Sequence, residues 1–206
     1  MVNRLKPLLT HYENSCNQAA IYFFLVFLNK TKNKITMLKE TVLKALNKQI
    51  NAEMHSAYLY LSMSAYFEDQ GLSGFANWMK VQYQEELSHS LKIFDFVNER
   101  NGRVILEPIA SVPTEFNGVI DVYEKTLEHE QKVTEMINQL MDVAVKASDH
   151  ATQSFLKWFV DEQVEEEANV NELLDNLKLI NGQGNGVFML NRELQGRKFV
   201  DTTKAE

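Results

Sequence analysis

The sequence predicts an all-α fold: a four-helix bundle with one long crossover and a short fifth helix at its C-terminal end. Three observations carry that expectation. Turn-forming residues are scarce, with 8 glycines and 3 prolines in 206 residues, and residues 8–70 and 119–181 contain neither. Sandwiches and barrels need such residues at frequent intervals. Apolar residues recur at spacings of three and four through four long segments, the pattern of helices with one face in a core. Only one linker between them is long. Residues 102–117 carry Gly102, Pro108 and Pro113, too much chain for a tight helix–helix turn. A connection crossing the length of a bundle fits, and it makes the second and third helices parallel.

The elements follow in order. A first helix over 38–69 is ended by Gly71, Ser73 and Gly74. A second over 75–100 stops before Gly102, where a glycine can end a helix. A third covers 118–147. Ser148 or Asp149 supplies the cap of the fourth, which runs to 180. Gly182, Gly184 and Gly186 form a loose connection, and the apolar stretch 187–194 makes the short fifth helix. From Gly196 the tail is polar and is expected to fray.

Charge divides the chain. The formal net charge is −7, yet residues 1–36 carry Arg4, Lys6, Lys30, Lys32 and Lys34 against the single acid Glu13. The acidic excess therefore lies in 37–206, which argues against nucleic acid as a partner and favours cations. The only cysteine, Cys16, excludes an intrachain disulfide and any cysteine-based zinc or iron–sulfur cluster. Residues 1–36 are atypical. The apolar run 19–28, with Arg4 and Lys6 upstream, has the look of a signal-peptide core, but no small-x-small cleavage site follows. The periodic pattern begins at Met37. Three readings stand for this extension: an over-long gene start, a targeting or anchoring segment, and an accessory helix. Residues 37–206 form the expected domain. No apolar run reaches the ~18 residues of a membrane span, so membrane contact is expected only if the extension is real, and the expected location is the cytoplasm.

Each long seam is interrupted near its middle by ionisable residues. The first reads Leu43, Leu46, Ile50, Glu53, Ala57, Tyr60. The second reads Phe75, Met79, Gln82, Glu86, then His89 or Ser90, Ile93, Val97. The third reads Tyr123, Leu127, Glu130, Val133, Ile137, Leu140, and the fourth Phe159, Gln163, Glu166, Val170, Leu173, Leu177. A single such carboxylate can sit at a helix edge and reach water. Four at one level are different, because buried ionised carboxylates repel each other and lose hydration. No seam offers a Lys or Arg at these positions. A multivalent cation resolves the conflict; carboxylates sharing protons, as in acid catalysis, are the competing explanation.

The donor types narrow the cation. Glu86 and His89 are three apart and project from one helix face. Glu-x-x-His is the motif of di-iron and di-manganese carboxylate bundles, and hard oxygen donors with one imidazole suit iron or manganese. The fourth helix departs from symmetry, with Gln163-x-x-Glu166 where a second Glu-x-x-His is expected. That makes the two metal positions unequal and the second the weaker.

Four segments together resemble the ferritin family, most closely the haem-free ferritins of bacteria and archaea: Asn51-Ala52-Glu53 through Tyr60, Gln84-Glu85-Glu86-Leu87-Ser88-His89, Leu127-Glu128-His129-Glu130, and Trp158 through Glu167. The resemblance spans about 37–199. It implies a hollow cage, usually of twenty-four subunits, that oxidises Fe²⁺ with O₂ or H₂O₂ and stores Fe³⁺ as a mineral. By position it implies a first iron site of Glu53, Glu86 and His89. A second uses Glu86 as bridge with Glu130 and Glu166, and Gln163 nearby. A third, more loosely held, is matched by Glu85, Glu162, Glu165 and Glu166. Tyr60 matches a tyrosine beside the dinuclear centre, and Trp158 is a second candidate redox neighbour. For Glu85, Glu162 and Glu165 a solvated acidic face stands as the alternative, and for Tyr60 and Trp158 core packing. Leu87 stands where haem-binding relatives place a methionine, so no haem is expected. His11, His55, His129 and His150 match no ligand and read as surface or packing residues.

Three functions remain on the table at this stage. The leading one is an iron-storing ferroxidase. The second is a di-iron enzyme that keeps its metals, and the third is a non-catalytic bundle whose glutamates sit at helix edges.

Overall fold

Four long helices and one short one account for the regular structure of the described residues. A computed structural model describes residues 37–203; the expectations for residues 1–36 lie outside the described residues. The helices are α1 (Glu40–Asp69), α2 (Ser73–Glu99), α3 (Val119–Lys146), α4 (His150–Leu179) and α5 (Gly184–Leu194). There are no strands among the described residues.

Each helix end is set by local chemistry. Gly71, at φ 70°, turns the chain after α1, and Leu72 N–H returns to Phe67 O at 2.9 Å, which satisfies a terminal carbonyl. Asn101 does the same after α2 at φ 56°. Asp149 is the cap of α4, its carboxylate accepting from Thr152 N–H at 3.1 Å, while Ser148 takes the left-handed turn at φ 52°. Asp149 also pairs with Arg100, the residue after α2, at 3.2 Å. One side chain thereby caps α4 and ties it to the end of α2.

The linker runs the length of the bundle as expected. Asn47 holds its beginning, accepting from Ile105 N–H at 2.7 Å. Further along α1, Ser62 donates to Pro113 O at 2.6 Å, and Tyr66 OH accepts from Gly118 N–H at 3.1 Å. The chain thus returns along α1 before α3 starts, so α2 and α3 are parallel. At the far end, Lys39 Nζ donates to Ala147 O.

Three details differ from expectation. Ser73 and Gly74 do not break the chain; they are the first turn of α2. Gly74 is placed there by α5, because a Cβ on it would lie 1.6 Å from Asn191 O. Asn191 in turn accepts from Gly74 N–H at 2.8 Å and Phe75 N–H at 3.3 Å, filling two of the unpaired donors at the helix start. Gly184 and Gly186 are likewise helical, in the first turn of α5, not in a loose connection. The tail is not frayed between Gly196 and Thr203: Asn77 Nδ2 donates to Arg197 O at 3.0 Å and Lys92 Nζ to Thr203 O at 2.8 Å. Replacing Gly74 with alanine is expected to cost about 3 kcal/mol, as overpacking against backbone does. The expected readout is a fall of several degrees in thermal midpoint and earlier proteolysis of α5.

The seams drift slightly. Val42, Thr126 and Leu174 are fully buried, where Leu43, Leu127 and Leu173 are half-buried. A period of 3.6 slides off a strict three-and-four seam over long helices. The core falls into two apolar halves. One holds Tyr60, Phe67, Phe75, Trp78, Met79, Tyr123 and Leu174. The other holds Leu46, Ile50, Ile93, Val97, Ile137, Leu156 and Phe159. Between them lies a polar layer.

Candidate metal centre

The polar layer is built from one to three residues of each long helix. α1 supplies Glu53, α2 supplies Gln82, Glu86 and His89, α3 supplies Glu130, and α4 supplies Gln163 and Glu166. All are at most 4% exposed. A carboxylate at this depth needs compensation, yet among the described residues no Lys or Arg forms an ion pair with any of the four glutamates.

Neutral donors hold three of these carboxylates, Glu53 and Glu166 by one oxygen and Glu130 by both. Gln49, one turn before Glu53, donates to Glu53 Oε1 at 2.9 Å. Gln82 donates to Glu166 Oε2 at 2.8 Å. Glu130 accepts from Tyr60 OH and from Gln163 Nε2 at 3.2 Å. Such contacts orient a carboxylate without cancelling its charge. The fourth, Glu86, has no hydrogen-bond partner on either oxygen among the described residues, and Glu53 Oε2 and His89 Nε2 are also unpartnered.

The side chains of Glu53, Glu86 and His89 converge. One donor atom from each of Glu53, Glu86 and His89 lies within 4.8 Å of the other two. His89 Nδ1 is 3.7 Å from Glu86 Oε2, and Nε2 is 3.9 Å from Glu162 Oε1. The ring sits edge-on to Trp158 at 5.3 Å and to Phe159 at 6.1 Å, which fixes its plane.

The electrostatics follow from burial. Desolvation, and then the neighbouring carboxylates Glu53, Glu130 and Glu166, push Glu86 well above the usual carboxylate range. Desolvation raises Glu53 and Glu166 as well and lifts Glu130 to about 8. Burial holds His89 down at about 4, so its imidazole is neutral at physiological pH. A neutral imidazole and carboxylates that resist ionising alone are the donor set a multivalent cation binds. With one donor atom of each of Glu53, Glu86 and His89 within 4.8 Å of the others, the residues present fit such an ion.

The remaining expected residues separate. Glu162 is part-buried beside His89, Glu85 is part-buried and paired with Arg197 at 2.7 Å, and Glu165 is exposed. Burial first, and then neighbouring acids, raise Glu85 and Glu162 to about 7. Tyr60 is fully buried against Glu130. His129 packs against the edge of Tyr60 at 5.8 Å and shares a hydrogen bond with Ser56 at 2.8 Å; His150 is exposed. Sequence reasoning missed three residues. Gln49 had a signal, sitting one turn before a seam glutamate. Gln82 stood in the seam without a role. Arg197, on the tail, had none.

Known proteins share this architecture and sequence. The ferritin-like domain model matches residues 43–180. The chain belongs to the ferritin family. It is 43% identical to the bacterial non-heme ferritin of Bacteroides fragilis over 161 residues, covering 78% of this chain and 100% of that protein. It is 40% identical to that of Staphylococcus saprophyticus over 166 residues, covering 81% and 99%. Among solved structures, the open-pore ferritin of the hyperthermophilic archaeon Archaeoglobus fulgidus matches with a TM-score of 0.77 and 47% identity, over 78% of this chain and 99% of that one. A closed form of the same ferritin, made by site-directed mutagenesis, matches with a TM-score of 0.78 and 47% identity, over 79% and 99%. No described helix is long and apolar enough to cross a membrane.

Proposed function

We propose that this ferritin oxidises Fe²⁺ at a dinuclear carboxylate site and stores the product as ferric oxyhydroxide inside a homo-oligomeric cage of twenty-four subunits in the cytoplasm. The observation that carries the reading is the buried cluster of Glu53, Glu86 and His89, in which Glu53 Oε2 and both Glu86 oxygens have no hydrogen-bond partner among the described residues. Iron is the substrate and the cargo. Glu53, Glu86 and His89 Nδ1 hold the first Fe²⁺. Glu86, free on both oxygens, bridges to a second held by Glu130 and Glu166, with Gln163 steering Glu130. Gln49, Gln82 and Gln163 keep the carboxylates aimed, so their charge is in place before oxidation and stabilises the Fe³⁺ that forms. Each Fe²⁺ gives one electron, and the pair reduces O₂ to H₂O₂, or H₂O₂ to two waters, with two protons taken up from solvent. Hydrolysis of each Fe³⁺ to oxyhydroxide then releases protons to solvent. Tyr60, whose hydroxyl donates to Glu130, is placed to pass a hydrogen or an electron to the site.

The test is an anaerobic Fe²⁺ titration followed by admission of O₂, with near-ultraviolet absorbance and particle size recorded. Two to three Fe²⁺ per chain, fast oxidation and continued uptake of excess iron into a soluble large assembly are expected. Binding that stops at two irons in a small oligomer points instead to a di-iron enzyme. No binding leaves only a helical bundle.

A further inference from the structure

The C-terminal tail crosses the acid cluster beside the centre. After α5 it is pinned to α2 at Asn77, whose Nδ2 donates to Leu194 O and Arg197 O at 3.0 Å each. At Thr203 it meets the same helix again, where Lys92 donates to Thr203 O at 2.8 Å. From Asn77 to Lys92 a helix rises about 22 Å, and an extended chain from Arg197 to Thr203 spans about 20 Å. The tail is therefore a strap laid along α2, past Glu85.

Arg197 faces inward from that strap. Its guanidinium lies over the Trp78 ring at 4.6 Å and reaches Trp78 O at 3.4 Å. Its Nη2 is 2.7 Å from Glu85 Oε2, with the two side chains 23% and 17% exposed. On the other side, Arg197 lines a cavity of about 380 Å³ together with Glu172 and Glu193.

We infer that Arg197 is a resident counter-charge for the acid cluster of Glu85, Glu162, Glu165 and Glu166, and that a divalent cation arriving there displaces the guanidinium from Glu85. The inference rests on the iron-oxidising reading above and deepens it. Glu85 carries a charge-assisted contact, the stronger kind of hydrogen bond, and an incoming cation must break it. The inner donors Glu53, Glu86 and His89 have no such competitor. A cation in the outer cluster is thereby held more weakly and exchanges more readily, as suits iron in transit. The displaced guanidinium has Glu172 and Glu193 in the adjoining cavity to receive it, so no charge is stranded. Trp78 offers a flat surface along which it can turn.

The experiment compares wild type, Arg197→Gln and Arg197→Lys in anaerobic titrations, with Fe²⁺ and, in parallel, Zn²⁺, which undergoes no oxidation. In Arg197→Gln the third metal per chain is expected to bind about tenfold or more tightly, with the two tighter ones unchanged. Arg197→Lys keeps the charge and is expected to stay near wild type. A purely structural strap gives a different pattern: both variants loosen the tail and neither changes the third affinity. Unchanged or weaker third binding of both metals in Arg197→Gln overturns the inference. A tightened Zn²⁺ site without two-iron oxidation supports it and counts against the ferroxidase reading alone.

Discussion

Glu86→Gln is expected to remove rapid Fe²⁺ oxidation while making the metal-free protein more stable. Glu86 is the only residue of the layer with both oxygens free, and in the proposed site it touches both irons. The amide that replaces it keeps the shape but loses the charge and one bridging oxygen. Loss of an outer-shell partner typically costs 10–100-fold in a metal site. Loss of a shared ligand is expected to lower the initial oxidation rate by at least about 100-fold, read at 300–350 nm, roughly the range of iron–oxygen absorbance, under the same stopped-flow conditions for both proteins. The stability effect has the opposite sign. In the metal-free protein, Glu86 must either keep a proton or bury a charge among Glu53, Glu130 and Glu166. A glutamine does neither, and its amide can donate to Glu53 Oε2, which has no partner among the described residues. The metal-free thermal midpoint at pH 8 therefore rises, by about 2–4 °C for each kcal/mol relieved in a chain of this size. A variant slower in oxidation and lower in midpoint would point to a packing defect instead.

That opposition between activity and stability explains why so much was legible in the sequence. Four carboxylates in four apolar seams are a contradiction that only depth makes serious, and the seams revealed the depth. The crossover was equally visible, because a linker with Gly102, Pro108 and Pro113 is too long to turn back on itself. What escaped notice depends on contacts rather than on pattern. Gln82 is a seam residue whose importance lies in the carboxylate it reaches across the bundle, and Gln49 in the one it reaches a turn further along its own helix. Gly74 reads as a breaker until α5 is seen to press its backbone against it. Arg197 sits in a polar tail, and nothing in a one-dimensional pattern says that α5 folds back and delivers it to Glu85. Local chemistry is written in spacing, whereas contacts between distant elements come only with the assembled fold.

The metal-free protein is expected to lose thermal stability as pH rises from about 6.5 to 8.5. A carboxylate whose folded pKa is raised binds a proton more tightly in the native state. Its stabilising contribution is full below the unfolded value and is lost as pH climbs through the folded one. Glu130 is lifted to about 8, Glu53, Glu86 and Glu166 are raised, and Glu85 and Glu162 reach about 7. Two histidines act the other way at lower pH. His89 and His129 are held near 4, below their ordinary value, so the native state binds fewer protons there and gains stability up to about 6.5. Above that the histidines are neutral in both states and only the carboxylates remain. Metal reverses the trend, because it takes the place of the protons and binds more tightly as they leave. A thermal midpoint that falls across this window without metal, and rises with saturating anaerobic Fe²⁺, is the expected pair of curves. A flat metal-free curve would mean that water reaches the layer and keeps its carboxylates ionised. The cation would then be an occupant of a solvated cleft, not the partner that a buried layer requires.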